Sequence, residues 1–400
     1  MAVSNKLISM GDSRRWTAYV HTFIWVWSIG FILTFAFPYT FLPDVGTWIG
    51  QVFIPINKLW GKGLGLGLDG LVFYRIQSDT LGLYLHMLTL TLYAAVVSIW
   101  GKRIYSPQRA TIYSSALSYY LSLTLLLYGL DKVFKSQFPF PEPNLLFTNL
   151  GALTPDILYW STIGSSYPYS LFTGLLEVIP AILLLFRPTR LVGWILGALV
   201  MLQVVAINFS YDINVKVYSL FLLGSFVYLL QPHLQSLGAF LRGKPAQLHF
   251  PPAFIPKNQQ QVYLYTLAKT GIILLLFVES LGPHLAAGYL NYDMKPKPAL
   301  HGTYKIMEHP TLKRCHVHSR GYFLIEYTDE RFESYRLTYD DLLAILYVEG
   351  KGELQYEMMG DTLSLEGEWL KLRGIKQDLE QLPLKQPHFH WTLESMVDQP

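Results

Sequence analysis

Seven stretches of this sequence are almost free of charge and long enough to cross a lipid bilayer. A transmembrane helix needs about 20 mostly apolar residues, because the hydrocarbon layer is about 30 Å thick and each helical residue rises about 1.5 Å. The stretches are residues 16–37, 80–100, 112–130, 169–186, 191–207, 217–230 and 261–278. The sixth is short and is expected to extend back into the polar segment before it. The first is too long for the apolar core of a signal peptide and no Ala-x-Ala cleavage pattern follows it, so it is expected to stay as an anchor. Residues 45–60 are semi-apolar and carry Pro55, the pattern of an interfacial or re-entrant helix. A full crossing there would invert everything after it.

From about Leu300 the pattern changes to period-two alternation, as in Tyr322 to Tyr327, Glu353 to Met358 and Thr362 to Gly367. Glycine turns at Gly350, Gly352 and Gly360 separate these runs, which predicts an antiparallel sheet of about five or six strands, a small sandwich or half-barrel. The expected fold is thus a membrane α-helical bundle of about seven helices with a small C-terminal antiparallel β domain. Its expected divisions are N-terminal helices with a partly re-entrant or interfacial loop in 1–110, the next four apolar stretches in 111–235, a loop and last helix in 236–290, and the β domain in 291–400.

Composition sharpens the division. Hydrophobic residues make up 51% of the chain and charged residues 15%, against about 25% charged in soluble domains. Residues 1–290 hold 18 Lys/Arg and 10 Asp/Glu, whereas 291–400 hold 13 and 18. A basic, membrane-like part therefore precedes an acidic, soluble-like one. Cys315 is the single cysteine, which removes internal disulfides and Cys-rich metal frameworks.

The segments between the apolar stretches alternate in charge. One set, from Lys6 through Arg103 and Arg190 to Lys257, holds eleven Lys/Arg, and the other, from Lys58 to Lys216, holds six. The richer set is expected in the cytoplasm, which places the N-terminus inside and the C-terminal domain outside the inner membrane.

Ionisable groups inside a bilayer cost about 2.5 to 3.5 kcal/mol each, so each one points to a function or to a buried partner. Glu177 and Lys269 both fall near mid-depth, about 13 Å from one face and about 12 Å from the other, which makes them candidates for an ion pair or for proton handling. Pro180, one turn after Glu177, frees a backbone carbonyl nearby. At the outer surface Asp131 and Lys132 end the third stretch, while Asn208, Tyr211, Asp212 and Lys216 crowd the turn between the fifth and sixth. So many hydrogen-bonding side chains in a short turn point to a polar pocket beneath the loop 134–168. The bland alternative is a solvated turn.

His21 and His86 lie in apolar stretches but differ by roughly 13 Å in depth, so one haem cannot take both, and interhelical hydrogen bonds are expected. Gly65-Leu-Gly67-Leu-Asp-Gly70 matches a dinucleotide-binding spacing but lacks the preceding strand, and reads as a loop. His316 and His318 share a strand face, as His388 and His390 would, with Cys315 pointing the other way. A metal site there needs the two strands to be neighbours, and surface histidines are the simpler reading.

The run from Tyr128-Gly-Leu-Asp-Lys132 through Gln137, then Trp160 with Gly164-Ser165-Ser166, Phe172-Thr-Gly174-Leu-Leu-Glu177, Leu183 to Arg187, and Asn208-Phe-Ser-Tyr211-Asp212-Ile-Asn-Val-Lys216 resembles the DoxX-like family of bacterial membrane proteins. It looks most like the long members with added N-terminal helices and a C-terminal outer domain. His388-Phe-His390-Trp391 is similar to the end of such members. The likeness covers about residues 110–235. Where such members carry a Gly-Ser-Gly-Asp-Thr stretch, this chain has Gln77-Ser78-Asp79-Thr80.

The resemblance implies a four-helix core on which Lys132, Glu177, Asn208, Tyr211, Asp212 and Lys216 converge as a ligand-binding site. It also implies a membrane subunit of a redox or quinone-interacting assembly; the sequence itself names no cofactor, and quinone is the candidate. Membrane lipids and an envelope redox protein are the expected partners, and nucleic acid is not. The alternative is a non-catalytic transporter, lipid-handling or assembly protein whose β domain binds an envelope partner.

Overall fold

A computed structural model describes residues 2–35, 37, 39–67, 78–245, 247, 258–307, 309–340 and 343–386, with backbone alone for 2–15. Its helices are α1 (Ala2–Thr34), α2 (Val45–Gly63), α3 (Leu81–Ser98), α4 (Gly101–Ile104), α5 (Pro107–Val133), α6 (Pro143–Phe147), α7 (Pro155–Ser165), α8 (Tyr167–Leu185), α9 (Arg190–Ser210), α10 (Lys216–Leu230), α11 (Leu234–Leu241) and α12 (Gln259–Ala286). The chain divides into two compact units. A helical unit takes Met1–Gln137 with Pro168–Leu290, and a second unit takes Phe138–Tyr167 with Asn291–Pro400. The connection between α5 and α8 thus belongs with the C-terminal part of the chain.

Seven helical spans among the described residues are long and apolar enough to cross a membrane: α1 from Trp16, α3, α5, α8, α9, α10 continued through α11, and α12. They coincide with the seven apolar stretches of the sequence. The sixth grows forward, through a 3-10 turn at Gln231–His233 into α11, and not back into the polar turn. Its start is fixed at Lys216 because the carboxylate of Asp79 accepts the backbone N–H groups of Lys216 and Val217, at 2.7 and 3.0 Å.

α2 runs unbroken through Pro55 and is not one of the seven spans. It buries Gly46, Gly50, Asn57 and Gly61 and leaves Trp48, Val52, Ile56 and Leu59 exposed, so small residues let it lie close to its neighbours. Asn57 bonds His86 Nδ1 (3.3 Å) and accepts from Thr89 (2.7 Å), while His86 Nε2 meets Thr34 at 2.7 Å. This closed polar network joins α1, α2 and α3, and it accounts for His86 without any cofactor. His21 bonds Tyr228 on α10 at 2.8 Å, the interhelical role expected of it. Glu279 on α12 is fully buried and accepts the backbone N–H groups of Thr40, Phe41 (3.0 Å) and Leu42 (2.8 Å), which binds the α1–α2 connection to the bundle.

The second unit is a closed barrel of eight strands, not a five- or six-stranded half-barrel. Its strands are β1 (Gly302–Met307), β2 (Leu312–Val317), β3 (Tyr322–Tyr327), β4 (Phe332–Asp340), β5 (Ile345–Val348), β6 (Gly352–Met359), β7 (Thr362–Glu366) and β8 (Lys371–Lys376). All neighbours are antiparallel and sequential, and β8 returns to β1 with Tyr304 opposite Lys376. Short strands such as β5, with four residues, escape a periodicity count, and the β1–β8 closure joins distant segments. Tyr304, Cys315, Phe323, Leu346, Leu354 and Leu363, each fully buried, fill the interior, so the barrel is a packed core and not a ligand cup.

Candidate functional site

In the helical unit α5 and α8 cross with their backbones close together. A Cβ placed on Gly174 would sit 2.6 Å from the carbonyl oxygen of Gly129, and one on Gly129 would sit 2.7 Å from the Val178 side chain. The seam runs on in small residues. Ser122 donates to the carbonyl of Ala181 and Ser170 to that of Lys132, both at 2.8 Å. Such spacing lets backbones approach where large side chains would hold them apart.

Lys132 and Glu177 each stand three residues beyond one of these glycines, on the same helix face. The helices are antiparallel and side chains lean toward their own helix N-terminus, so the two reach toward each other along the seam. Lys132 Nζ meets Glu177 Oε2 at 2.7 Å, with the side chains 11% and 5% exposed. The ammonium also approaches the Tyr128 carbonyl (3.4 Å) and lies over the Tyr128 ring (5.5 Å).

Glu177 therefore takes Lys132 as partner and not Lys269, which lies over the Phe186 ring at 5.8 Å. Matched depth was a poor guide here. A lysine at a helix end reaches back several ångströms along its stem, so the relevant depth is that of the ammonium.

The turn between α9 and α10 is built for geometry. Asp212 adopts φ 52°, a left-handed conformation tolerated by Asp, and the Asn208 carbonyl accepts Ile213 N at 3.0 Å. Lys216 Nζ donates to Asp212 Oδ1 (2.7 Å) and to the Ile213 carbonyl (3.1 Å). Asp212 itself is exposed and Tyr211 half-buried. Asn208 is buried, and its Nδ2 has no hydrogen-bond partner among the described residues.

Four of the six candidates thus form two ion pairs, Lys132 with Glu177 and Asp212 with Lys216, to which Asn208 and Tyr211 do not belong. Asp79, which the sequence singles out only as part of a departure from the family pattern, caps α10 from a separate segment. Its signal was the Ser78-Asp79-Thr80 pattern of helix-capping types.

A cavity of about 530 Å³ lies in the same unit, bordered by α1, α3, α5, α9 and α10. Trp27, Tyr84, Tyr113, Leu220 and Gly224 are among its walls, and Lys216 is the one member of the six candidates that lines it.

In the barrel unit, His316 points to the side opposite Cys315, as alternation required, but it is fully buried and not a surface histidine. Its two ring nitrogens meet Thr303 (2.9 Å) and Glu326 (3.3 Å), which leaves none for a metal. No group of three or more His, Cys, Asp or Glu suited to a metal occurs among the described residues, and His388 and His390 lie outside them. Gly65 and Gly67 follow α2 as turn and loop, while Gly70 also lies outside the described residues.

Glu326 is ringed by Lys313 (2.8 Å), Arg314 (3.1 Å) and His316. Burial alone would raise its carboxyl, but bonds from His316, Lys313 and Arg314 bring it down to about 2. Burial would raise Glu142 too, yet His301 and Ser319 bring it down to about 2. Burial depresses His318 to about 4 against the opposing charge of Glu142.

The cost of breaking the Lys132–Glu177 pair is testable. Lys132→Met leaves a buried carboxylate and should destabilise the protein by about 3 to 5 kcal/mol, whereas Lys132→Met with Glu177→Leu should recover most of that loss. Thermal unfolding in detergent checks this, and a double variant no better than Lys132→Met would contradict the pairing.

The barrel unit should weaken in acid. Glu142 and Glu326 have folded values of about 2 against 4.5, so their contribution is complete above pH 4.5 and is lost as pH falls toward 2. His318, at about 4 against 6.5, is protonated first in the unfolded chain, so stability declines between pH 6.5 and 4. Hydrogen exchange of barrel amides should accelerate steadily from pH 6.5 downward after correction for the intrinsic rate. A flat profile would contradict these assignments.

No protein-family model matches the chain, and no solved structure matches it. Over 135 residues, 32% of this chain and 80% of the other, it is 28% identical to "Uncharacterized protein YwoB" of Bacillus subtilis (strain 168), a relative whose name assigns no activity.

Proposed function

We propose that this protein is a multi-pass protein of the bacterial inner membrane, a DoxX-like subunit of a redox or quinone-interacting assembly, with its barrel unit outside the cytoplasm. The observation that carries the reading is the sealed Lys132–Glu177 pair. An ammonium and a carboxylate 2.7 Å apart in an apolar bundle can exchange a proton, and quinone reduction takes up two protons with its two electrons. The pair also sits where the DoxX resemblance is strongest. The apolar cavity alongside α10 adds room for the tail of a membrane-dissolved carrier.

A second reading, a lipid-handling or assembly protein, draws support from the barrel. Its filled interior leaves only the outer wall to bind anything, which suits a partner protein in the envelope.

Isolation in mild detergent separates the two. The first reading expects extractable quinone near one per chain and a co-purifying protein with a flavin or haem spectrum. A co-purifying protein without redox absorbance, and no quinone, favours the second. A reporter active only outside the cytoplasm, fused after Pro400, should be active, and an inactive fusion in membrane-inserted protein would overturn the orientation.

A further inference from the structure

We propose that the α1–α3–α5–α10 cavity is a binding site for one linear-tailed amphiphile, whose oxygen-bearing headgroup accepts a hydrogen bond from Lys216 and whose tail lies along α10 toward Tyr228. The assignment rests on the membrane reading above but not on a redox role. Lys216 and Tyr228 both line the cavity and stand twelve positions apart on α10, about 18 Å along its axis. Between them the walls are apolar or aromatic, with Trp27, Leu117, Leu220 and Phe221 among them. A volume of about 530 Å³ lies within the roughly 300 to 1,000 Å³ of small-molecule sites.

The two ends differ in chemistry. At one end, Lys216 spends two of its three N–H groups on Asp212 and the Ile213 carbonyl, so a third is left to donate. A lysine cannot accept, which selects a head with acceptor oxygens: a quinone carbonyl, a phosphate or a carboxylate. At the other end, the Tyr228 hydroxyl accepts from Trp25 (2.7 Å) and is hydrogen-bonded to His21 Nδ1 (2.8 Å), and Ser28 and Tyr113 bond each other at 2.6 Å. Those hydroxyls already have protein partners, so this end offers a tail little but hydrocarbon and ring surface.

Access is lateral. Tyr84, Phe209 and Leu220 line the cavity yet are 49%, 55% and 46% exposed, so it opens on the flank of the bundle where acyl chains would lie. An amphiphile dissolved in the bilayer can enter sideways without leaving the hydrocarbon.

Gly224 supplies a clean test, because a Cβ added there meets nothing within 4 Å. Gly224→Phe should therefore fill the cavity without moving backbone. Full-length protein in phosphatidylcholine nanodiscs would be labelled with two photoactivatable single-chain probes, one with a benzoquinone head and one with a phosphate head. Saturable labelling should map to Tyr84, Phe209 and Leu220, fall at least tenfold in Gly224→Phe, and weaken severalfold in Lys216→Met. Unchanged labelling in a folded Gly224→Phe, or labels scattered over the flank of the bundle as for annular lipid, would overturn the site. Saturable labelling by the phosphate probe with none by the quinone probe keeps the site and removes the redox reading. The reverse supports both.

Discussion

The contact between Gly129 and Gly174 fixes the α5–α8 crossing on which the buried Lys132–Glu177 pair depends. With no side chain on either, α5 and α8 come together until backbone meets backbone, and the Cβ of any other residue would collide with a carbonyl oxygen. That closeness brings Lys132 within 2.7 Å of Glu177. In a low-dielectric bundle an unpaired charge costs several kcal/mol, so the pair is tolerated only while the crossing holds. α9 and α10 then build on the same α5. Trp194 donates to Ser118, Tyr218 meets Tyr120, and Gly197 lets α9 receive the Phe226 ring of α10.

Several polar groups elsewhere in this unit, though not the Asn208 amide, follow the same logic of mutual satisfaction. Glu279 occupies itself with three backbone amides, His86 with Asn57 and Thr34, and Asp79 with the start of α10. Each of these groups fixes a connection or helix end that the apolar pattern leaves undetermined. Lys216 stands apart, because it reaches an apolar cavity with donor capacity in hand.

The seven spans were legible because a 20-residue apolar run has few other physical meanings, and His21 and His86 were legible from their depth difference. Glu177 and Lys132 both stood out by cost, but matched depth favoured Lys269 as the partner, whereas Lys132 is the one that meets Glu177. Pairing depends on the helix crossing and on the reach of a lysine stem, and neither is written in residue spacing. The roles of Glu279 and Asp79 were not legible because their partners are backbone amides, which leave no mark in composition. The barrel was half visible. Alternation showed β3, β6 and β7, whereas the four-residue β5 and the return of β8 to β1 depend on closure, a property of the whole sheet.

The direct test of this account is the distance between the Lys132 ammonium and the Glu177 carboxyl in membranes. Solid-state NMR with lysine 15Nζ and glutamate 13Cδ labels, assigned by loss of the signal in Lys132→Met, measures it through their dipolar coupling. A strong coupling that marks direct contact, lost together with its glutamate partner in Glu177→Gln, is the predicted result. Absence of that coupling in folded protein, or its persistence in Glu177→Gln, would contradict the claim that the glycine crossing brings this pair together.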